Sequence, residues 1–305
     1  MKVLVATEKP FSATAVKGIR EIVEAAGYTF VALEKYTSHD QLVEAVADVN
    51  ALIVRSDIVD KAVIDAAKEL KIIVRAGAGY DNIDLKAAAE AGVVVENTPG
   101  QNSNAVAELV IGMAIMAARN KYSGSTGFEI SGKRIGLQAF GQVSRHVANL
   151  AKGFGMHVSA IDPYCPAEVI EAAGVAVAPS LKDLYAGNDI VSIHIPATPE
   201  TVGSIGKELI GALPKGAILI NTARKEVINE AELLEAMEER PDIKYFADVK
   251  PGNATVLAER FPDRVFFTPK KSGAQTAEAN LNAGLAAARQ IVAYFKEGST
   301  RFKVN

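Results

Sequence analysis

The stretch Lys133–Tyr164, KRIGLQAFGQVSRHVANLAKGFGMHVSAIDPY, has the order of a nucleotide-binding βαβ unit. An apolar run closes on a small residue, a glycine turn follows, and then come an amphipathic helix, a second apolar run and an acid. Small residues at such a turn let main-chain N–H groups approach a pyrophosphate at a helix N-terminus, where the helix dipole favours negative charge. The acid, Asp162, stands where a carboxylate accepts from a ribose hydroxyl. In register with G-x-G-x-x-G the chain has Ala139, Gly141 and Ser144, so only the middle glycine remains.

On either side of this unit, strand and helix patterns alternate. β-Branched runs at Lys2–Ala6, Thr29–Leu33, Ala51–Arg55, Lys71–Arg75 and Val93–Glu96 are separated by segments of helical spacing, among them Ala15–Ala26 and Asp60–Leu70. A long apolar helix is expected from Asn104 to about Asn120, followed by the Gly/Ser-rich loop Ser123–Gly127. Further strands are expected at Ile135–Ala139, His157–Ile161, Asp189–Ile193, Ala217–Asn221, Ile243–Ala247 and Arg264–Phe267, and then an alanine-rich closing helix, Thr276–Phe295. Alternation of this kind predicts parallel sheets covered on both faces. With 305 residues the expectation is two α/β domains, the first made discontinuous by the return of the closing helix: residues 1–98 with 281–305, and residues 99–280.

A formal net charge of -3 gives no electrostatic reason to expect a nucleic acid or anionic membrane partner. The single cysteine, Cys165, cannot build an internal disulfide or a zinc site, so no metal is expected and a reducing compartment fits. The N-terminal apolar run is short for a signal peptide and no stretch is long enough to span a bilayer, which leads to the expectation of a cytoplasmic protein.

Five segments in order, RAGAGYDNID (Arg75–Asp84), NTPGQNSNAVAE (Asn97–Glu108), AFGQVSRHVA, HIPATPET (His194–Thr201) and LINTARKEVINE (Leu219–Glu230), together resemble the D-2-hydroxyacid dehydrogenase family over nearly the whole chain. The resemblance implies two doubly wound parallel-sheet α/β domains, a Rossmann-like NAD-binding one and a smaller flavodoxin-like substrate domain. It also implies NAD as cofactor and a homodimer formed through the NAD-binding domain. The ending TPKKSGAQTAEAN is similar to that of short members that oxidise D-3-phosphoglycerate to 3-phosphohydroxypyruvate for serine synthesis. Dehydrogenation of another 2-hydroxy acid, or NAD(H) binding without turnover, are the alternatives.

Oxidation of a 2-hydroxy acid needs a hydride acceptor, a cation for the carboxylate and a base for the hydroxyl proton. Arg224 matches the family's arginine; its guanidinium can hold a carboxylate through two parallel hydrogen bonds. The base position departs from the family pattern. Thr268–Pro269–Lys270–Lys271–Ser272–Gly273 replaces T-P-H-x-G, and Asp248–Val249–Lys250–Pro251–Gly252–Asn253 lacks the partner glutamate. Counting forward from Thr-Pro places Lys270 at the histidine; counting back from Gly-Ala-Gln-Thr places Lys271 there, and the second count is preferred because one inserted residue explains the rest. A free lysine ionises near pH 10.4, so a lysine base needs surroundings that disfavour its ammonium, such as burial, Lys270 or Arg224.

By the same resemblance Arg55 and Ser56 meet the distal or phosphate end of a small phosphorylated hydroxy acid, although an arginine that merely caps a strand reads equally well. Asp57 replaces the family's second arginine and weakens the inference of a phosphate. The small turn Ala76–Gly77–Ala78 offers main-chain N–H groups to the carboxylate, and Asn102 contacts substrate. Cofactor contacts are expected from Gly141, Gln142 and Val143 at the pyrophosphate and Asp162 at the ribose. His194, Ile195 and Pro196 with Thr201 fall on the adenosine side, and Thr222, Ala223, Arg224 and Asp248 fall around the nicotinamide. A carboxylate at 162 favours NAD over NADP.

Overall fold

The computed structural model describes all 305 residues, and they form two compact units, Met1–Asn102 with Gln275–Asn305, and Ser103–Ala274. The sequence reading drew these divisions at 98/99 and 280/281. The observed ones keep two helices whole, the one that starts at Ser103 and the one capped by Thr276.

The first unit alternates β1 (Lys2–Thr7), α1 (Ala13–Ala25), β2 (Thr29–Glu34), α2 (His39–Ala45), β3 (Ala51–Val54), α3 (Lys61–Ala66), β4 (Ile72–Arg75), α4 (Leu85–Glu90) and β5 (Val94–Asn97). All pairs are parallel, in the order β2-β1-β3-β4-β5. Alternate residues serve opposite faces of this sheet. Leu4, Ala6, Leu52, Val54 and Ile73 join one core with the α2, α3 and α4 side, while Val3, Val5, Ile53, Ile72 and Val74 join another with α1 and the closing helix, Ala277–Glu297. Gly18 and Gly284 let that helix lie close to α1: a Cβ at Gly18 would stand 2.6 Å from Leu285 Cδ2, and one at Gly284 would stand 2.9 Å from Ile19 Cδ1. The chain end pairs with the free edge of β5 through Val304 N–H to Val95 O and Asn97 N–H to Phe302 O, which covers an otherwise open edge.

The second unit begins with α5 (Ser103–Ala118). It continues through β6 (Arg134–Gln138), α6 (Gln142–Gly153), β7 (His157–Ile161), α7 (Ala167–Ala172), β8 (Ala176–Val177), α8 (Leu181–Gly187) and β9 (Ile190–Ile193). It ends with α9 (Lys207–Ala212), β10 (Ile218–Asn221), α10 (Glu230–Glu239), β11 (Lys244–Ala247), α11 (Ala254–Arg260) and β12 (Val265–Phe267). Its seven parallel strands run β12-β11-β10-β9-β6-β7-β8, the doubly wound order of dinucleotide-binding folds with one strand added. Ile218 and Ile220 face α5 and α6, and Leu219 between them faces the α8, α9 and α10 side. The edge strand β8 has no sequence signal, because its two residues are both exposed and carry no alternation. The long apolar helix stops at Ala118, where Asn120, Lys121 and Tyr122 take φ of 49°, 55° and 58° and turn the chain into the Gly/Ser loop. No helix is long and apolar enough to cross a membrane.

In both sheets the strand order reverses beside the first strand of the unit, at β1/β3 and at β6/β9. In open parallel sheets, ligands bind outside the C-terminal ends of the strands at such a reversal. The predicted site residues cluster on these ends.

Candidate active-site residues

In the first unit Arg55 directly follows β3. Its Nη1 donates to Lys9 O at 3.0 Å and Pro10 O at 3.3 Å, its Nη2 donates to Asn280 Oδ1 at 2.5 Å, and the group lies over the Phe11 ring. These partners fix the guanidinium at the strand end. Ser56 beside it is exposed.

The sequence reading missed Arg75, which ends β4 as Arg55 ends β3. The repeated pattern of an apolar run closed by arginine, ALIVR and KIIVR, was the available signal. Burial, and after it the charge of Arg55, lowers the Arg75 pKa, and burial also lowers that of Arg55. The Arg75 Nε is buried with no hydrogen-bond partner. Two guanidinium groups held near each other at one sheet edge, one with an unmet donor, form an anion receptor. Gly77 is what lets Arg75 lie there: its φ is 150°, and a Cβ would stand 1.5 Å from Arg75 Nη1.

One expectation is corrected here. Ala76 N–H donates to Val54 O and Gly77 N–H to Arg75 O, so those two amides close the turn and do not present donors to a carboxylate; Ala78 is exposed and its carbonyl accepts from Asn97. Asp57 stands where the family pattern has its second arginine. Its carboxylate is 4% exposed and turned inward, accepting from Glu8 N at 2.7 Å, Tyr36 Oη at 2.8 Å and Arg55 N at 3.0 Å. Asn102, the last residue of this unit before the crossing, is half-buried.

In the second unit the glycine turn joins β6 to α6. Gly141 is the N-cap of α6, and no side chain caps it, which leaves the helix N-terminus open to an anion. A Cβ on Gly141 would meet nothing within 4 Å. A valine there would therefore leave the fold intact and project into the space over the helix end. Gly141→Val is expected to keep the native melting temperature within about 2 °C while weakening dinucleotide binding more than about tenfold, read by NADH fluorescence titration. Gln142 is exposed and Val143 partly so in the first turn of α6.

Ala139, at the first glycine of the fingerprint, has φ of 81°, a left-handed conformation that an L side chain adopts at a cost. Ala139→Gly removes that strain at about 1–2 kcal/mol against an entropy cost of about 0.5–1 kcal/mol. The variant is expected to unfold at an equal or slightly higher denaturant concentration than the native chain.

Asp162 ends the βαβ unit, and its two oxygens accept from Phe140 N and Tyr164 N, each at 2.8 Å. It thus ties the glycine turn to the end of β7. Arg145, not singled out in the sequence, reaches the same corner through Phe140 O at 3.2 Å and stacks over the Phe140 ring.

His194 follows β9. The residue as a whole is partly exposed, but its Nε2 is buried without a partner, and burial lowers its pKa to about 4, so the ring is neutral at physiological pH. Ile195 packs on the core and Pro196 is exposed; Thr201 closes their loop by donating from Oγ1 to Pro196 O and accepting from Thr198 N. Thr222 follows β10 with a second buried, unpartnered oxygen, Oγ1. Two orphaned polar atoms at the ends of neighbouring strands fit a ligand that carries amide or hydroxyl groups.

Asn221, fully buried at the end of β10, was also missed. Its Oδ1 accepts from Ala223 N at 2.9 Å and its Nδ2 donates to Arg224 O at 3.0 Å, a side-chain brace that shapes the Thr222–Arg224 turn. The Arg224 Nη1 donates to Ala223 O at 3.0 Å.

Asp248, placed by sequence around the nicotinamide, is 1% exposed and has both oxygens engaged by the lysine turn. Lys270 and Lys271 themselves are exposed, so burial does not supply the environment that a lysine base was expected to need. No three His, Cys, Asp or Glu side chains gather as a metal-ligand set.

Comparison with known proteins agrees with this architecture. A D-3-phosphoglycerate dehydrogenase of Methanocaldococcus jannaschii is 36% identical over 300 residues, 92% of this chain and 55% of that protein. A hydroxypyruvate reductase of Thermotoga maritima is 34% identical, covering 86% of this chain and 89% of that protein. The crystal structure of NAD+-bound 3-phosphoglycerate dehydrogenase from Entamoeba histolytica superposes with a TM-score of 0.88 at 45% identity, over 100% of this chain and 98% of that one. The chain spans about half the length of the curated D-3-phosphoglycerate dehydrogenases it matches, from 50% to 59%. Residues 5–305 match the model of the D-isomer specific 2-hydroxyacid dehydrogenase catalytic domain, and the chain belongs to that family.

Proposed function

We propose that this chain is an NAD-dependent dehydrogenase that oxidises D-3-phosphoglycerate to 3-phosphohydroxypyruvate. The observation that carries the substrate is the Arg55/Arg75 pair, whose two cations and unmet Nε suit a dianionic phosphate better than a neutral substituent. The 45% identical Entamoeba histolytica structure supports the same assignment.

NAD supplies the hydride acceptor. Gly141 and the uncapped start of α6 take the pyrophosphate, Asp162 takes the ribose, and the orphaned His194 Nε2 and Thr222 Oγ1 lie ready for polar groups of the dinucleotide. Arg224 holds the substrate carboxylate and turns the hydroxyl carbon toward the hydride acceptor. Lys271 accepts the hydroxyl proton at its Nζ during oxidation and returns it during reduction.

A homodimer through the second unit is part of the same reading. It is supported by α5, which buries Val110, Ile111 and Met113 yet leaves Leu109, Ile115 and Met116 only partly covered; light scattering at micromolar concentration tests it.

Steady-state oxidation tests the substrate. Arg75→Gln is expected to raise KM for D-3-phosphoglycerate about tenfold or more, the worth of one charge-assisted hydrogen bond pair, and to leave kcat/KM for an unphosphorylated 2-hydroxy acid within about twofold. The Thermotoga maritima relative suggests hydroxypyruvate as the rival. Equal kcat/KM for phosphorylated and unphosphorylated acids in the native chain would favour it.

A further inference from the structure

The turn that bears the two lysines is held by a single carboxylate. β11 ends at Ala247 and β12 at Phe267, and Asp248 and Thr268 are the next residues on these neighbouring strands. The Thr268 hydroxyl donates to Asp248 Oδ1 at 2.9 Å, Ser272 N donates to the same oxygen at 2.7 Å, and Gly273 N donates to Oδ2 at 2.8 Å. The segment therefore leaves the sheet at Thr268 and is gripped again at Ser272 and Gly273, with Lys270 and Lys271 between the two grips. Ser272 Oγ adds a brace to Lys270 O at 2.8 Å.

Space around the carboxylate is fully used. A Cβ on Gly273 would stand 3.0 Å from Asp248 Oδ2 and 3.1 Å from Val106 Cγ2 of α5, so a side chain there would press on the carboxylate and on α5. At 1% exposure a carboxylate costs several kcal/mol unless its charge is met by donors, and here two main-chain N–H groups and a hydroxyl meet it. Such a carboxylate holds its donors firmly, and with them the residues they flank.

We propose that Asp248 is the positioning residue of the lysine turn: it fixes Lys271 for proton transfer by gripping the Thr268 hydroxyl before it and the main chain of Ser272 and Gly273 after it. The inference rests on the reading of Lys271 as acid/base. In the family pattern a glutamate orients the base through its side chain; here the orienting carboxylate acts through Thr268, Ser272 and Gly273. The same strand ends also carry the Arg224 brace, since Asp248 N donates to Asn221 O at 3.0 Å.

The test uses the full chain and two variants. Asp248→Asn puts an amide donor against one of the N–H donors, and Thr268→Val removes one hydrogen bond without altering charge. For each, kcat and KM for D-3-phosphoglycerate are followed across pH beside the affinity for NADH. The expected result is a kcat lower by about a hundredfold for Asp248→Asn and about fivefold for Thr268→Val, roughly one to two lost hydrogen bonds to a charged group. NADH affinity of Thr268→Val is expected within twofold of native, and the ionisation limb of the kcat profile displaced in both variants. Native kcat and an unmoved limb in both variants would overturn the proposal. So would weakened NADH binding with kcat retained, which would make Asp248 a cofactor contact. If Asp248→Asn does not fold, Thr268→Val decides by the same readouts. Full activity in Lys271→Ala removes the acid/base reading itself, an outcome separate from either variant's result.

Discussion

Lys271→Ala is expected to lower kcat for D-3-phosphoglycerate oxidation by about 100-fold to 10,000-fold, the usual worth of a positioned general acid or base. Lys271 is exposed in a loop whose anchors are main-chain atoms of Ser272 and Gly273, so truncation leaves the fold and the dinucleotide turn untouched. NADH affinity should therefore stay native. In the native chain the oxidation rate should climb as the pH rises, because only the neutral amine accepts a proton. The reverse, reduction, should fall with the same rise. A variant with native kcat at every pH excludes Lys271, and Lys270→Ala with the same measurements then tests its neighbour.

The second large effect belongs to Arg224. Arg224→Lys preserves the charge and loses the planar fork, so kcat/KM is expected to fall about a hundredfold or more, close to 3 kcal/mol for a two-bond carboxylate pairing. Arg224→Gln should lose at least as much. Because the Asn221 brace holds the main chain of Thr222–Arg224 rather than the guanidinium, the turn survives either substitution. Asn221→Ala removes that brace and is expected to lower kcat/KM with Arg224 still present, and a native value in that variant would show that the turn holds itself. Stopped-flow binding of NADH separates these losses from any loss of cofactor.

Much of the architecture was legible in the chain because a parallel sheet covered on both faces demands short, nearly continuous β-branched runs. Runs such as ALIVR and AILIN end where their strands end to within a residue. The short exposed strand β8 was invisible, since burial is what writes a strand into a sequence and both its residues face solvent. Arg224, Gly141 and Asp162 could be read because each follows a buried run at a fixed offset, and the strand geometry converts that offset into a place at the sheet's C-terminal edge. Arg75 carried the same signal and was passed over inside a motif read for its small residues.

Sequence alone determined the two parallel α/β units and the family. The first follows from periodicity, which the chain displays along its length, and the second from a resemblance carried by five segments in order. Only tertiary structure decided that the Arg55 and Arg75 guanidinium groups lie near enough for the charge of one to lower the pKa of the other, that Asp57 turns inward to Tyr36, and that Asp248 grips the lysine turn. Each of these joins residues on separate strands, Asp248 to residues 20 to 25 positions away, and the direction of a buried carboxylate is set by whichever donors the folded neighbours bring to it. Spacing in one dimension does not contain that information, because most of the donors are main-chain N–H groups, which every residue other than proline carries.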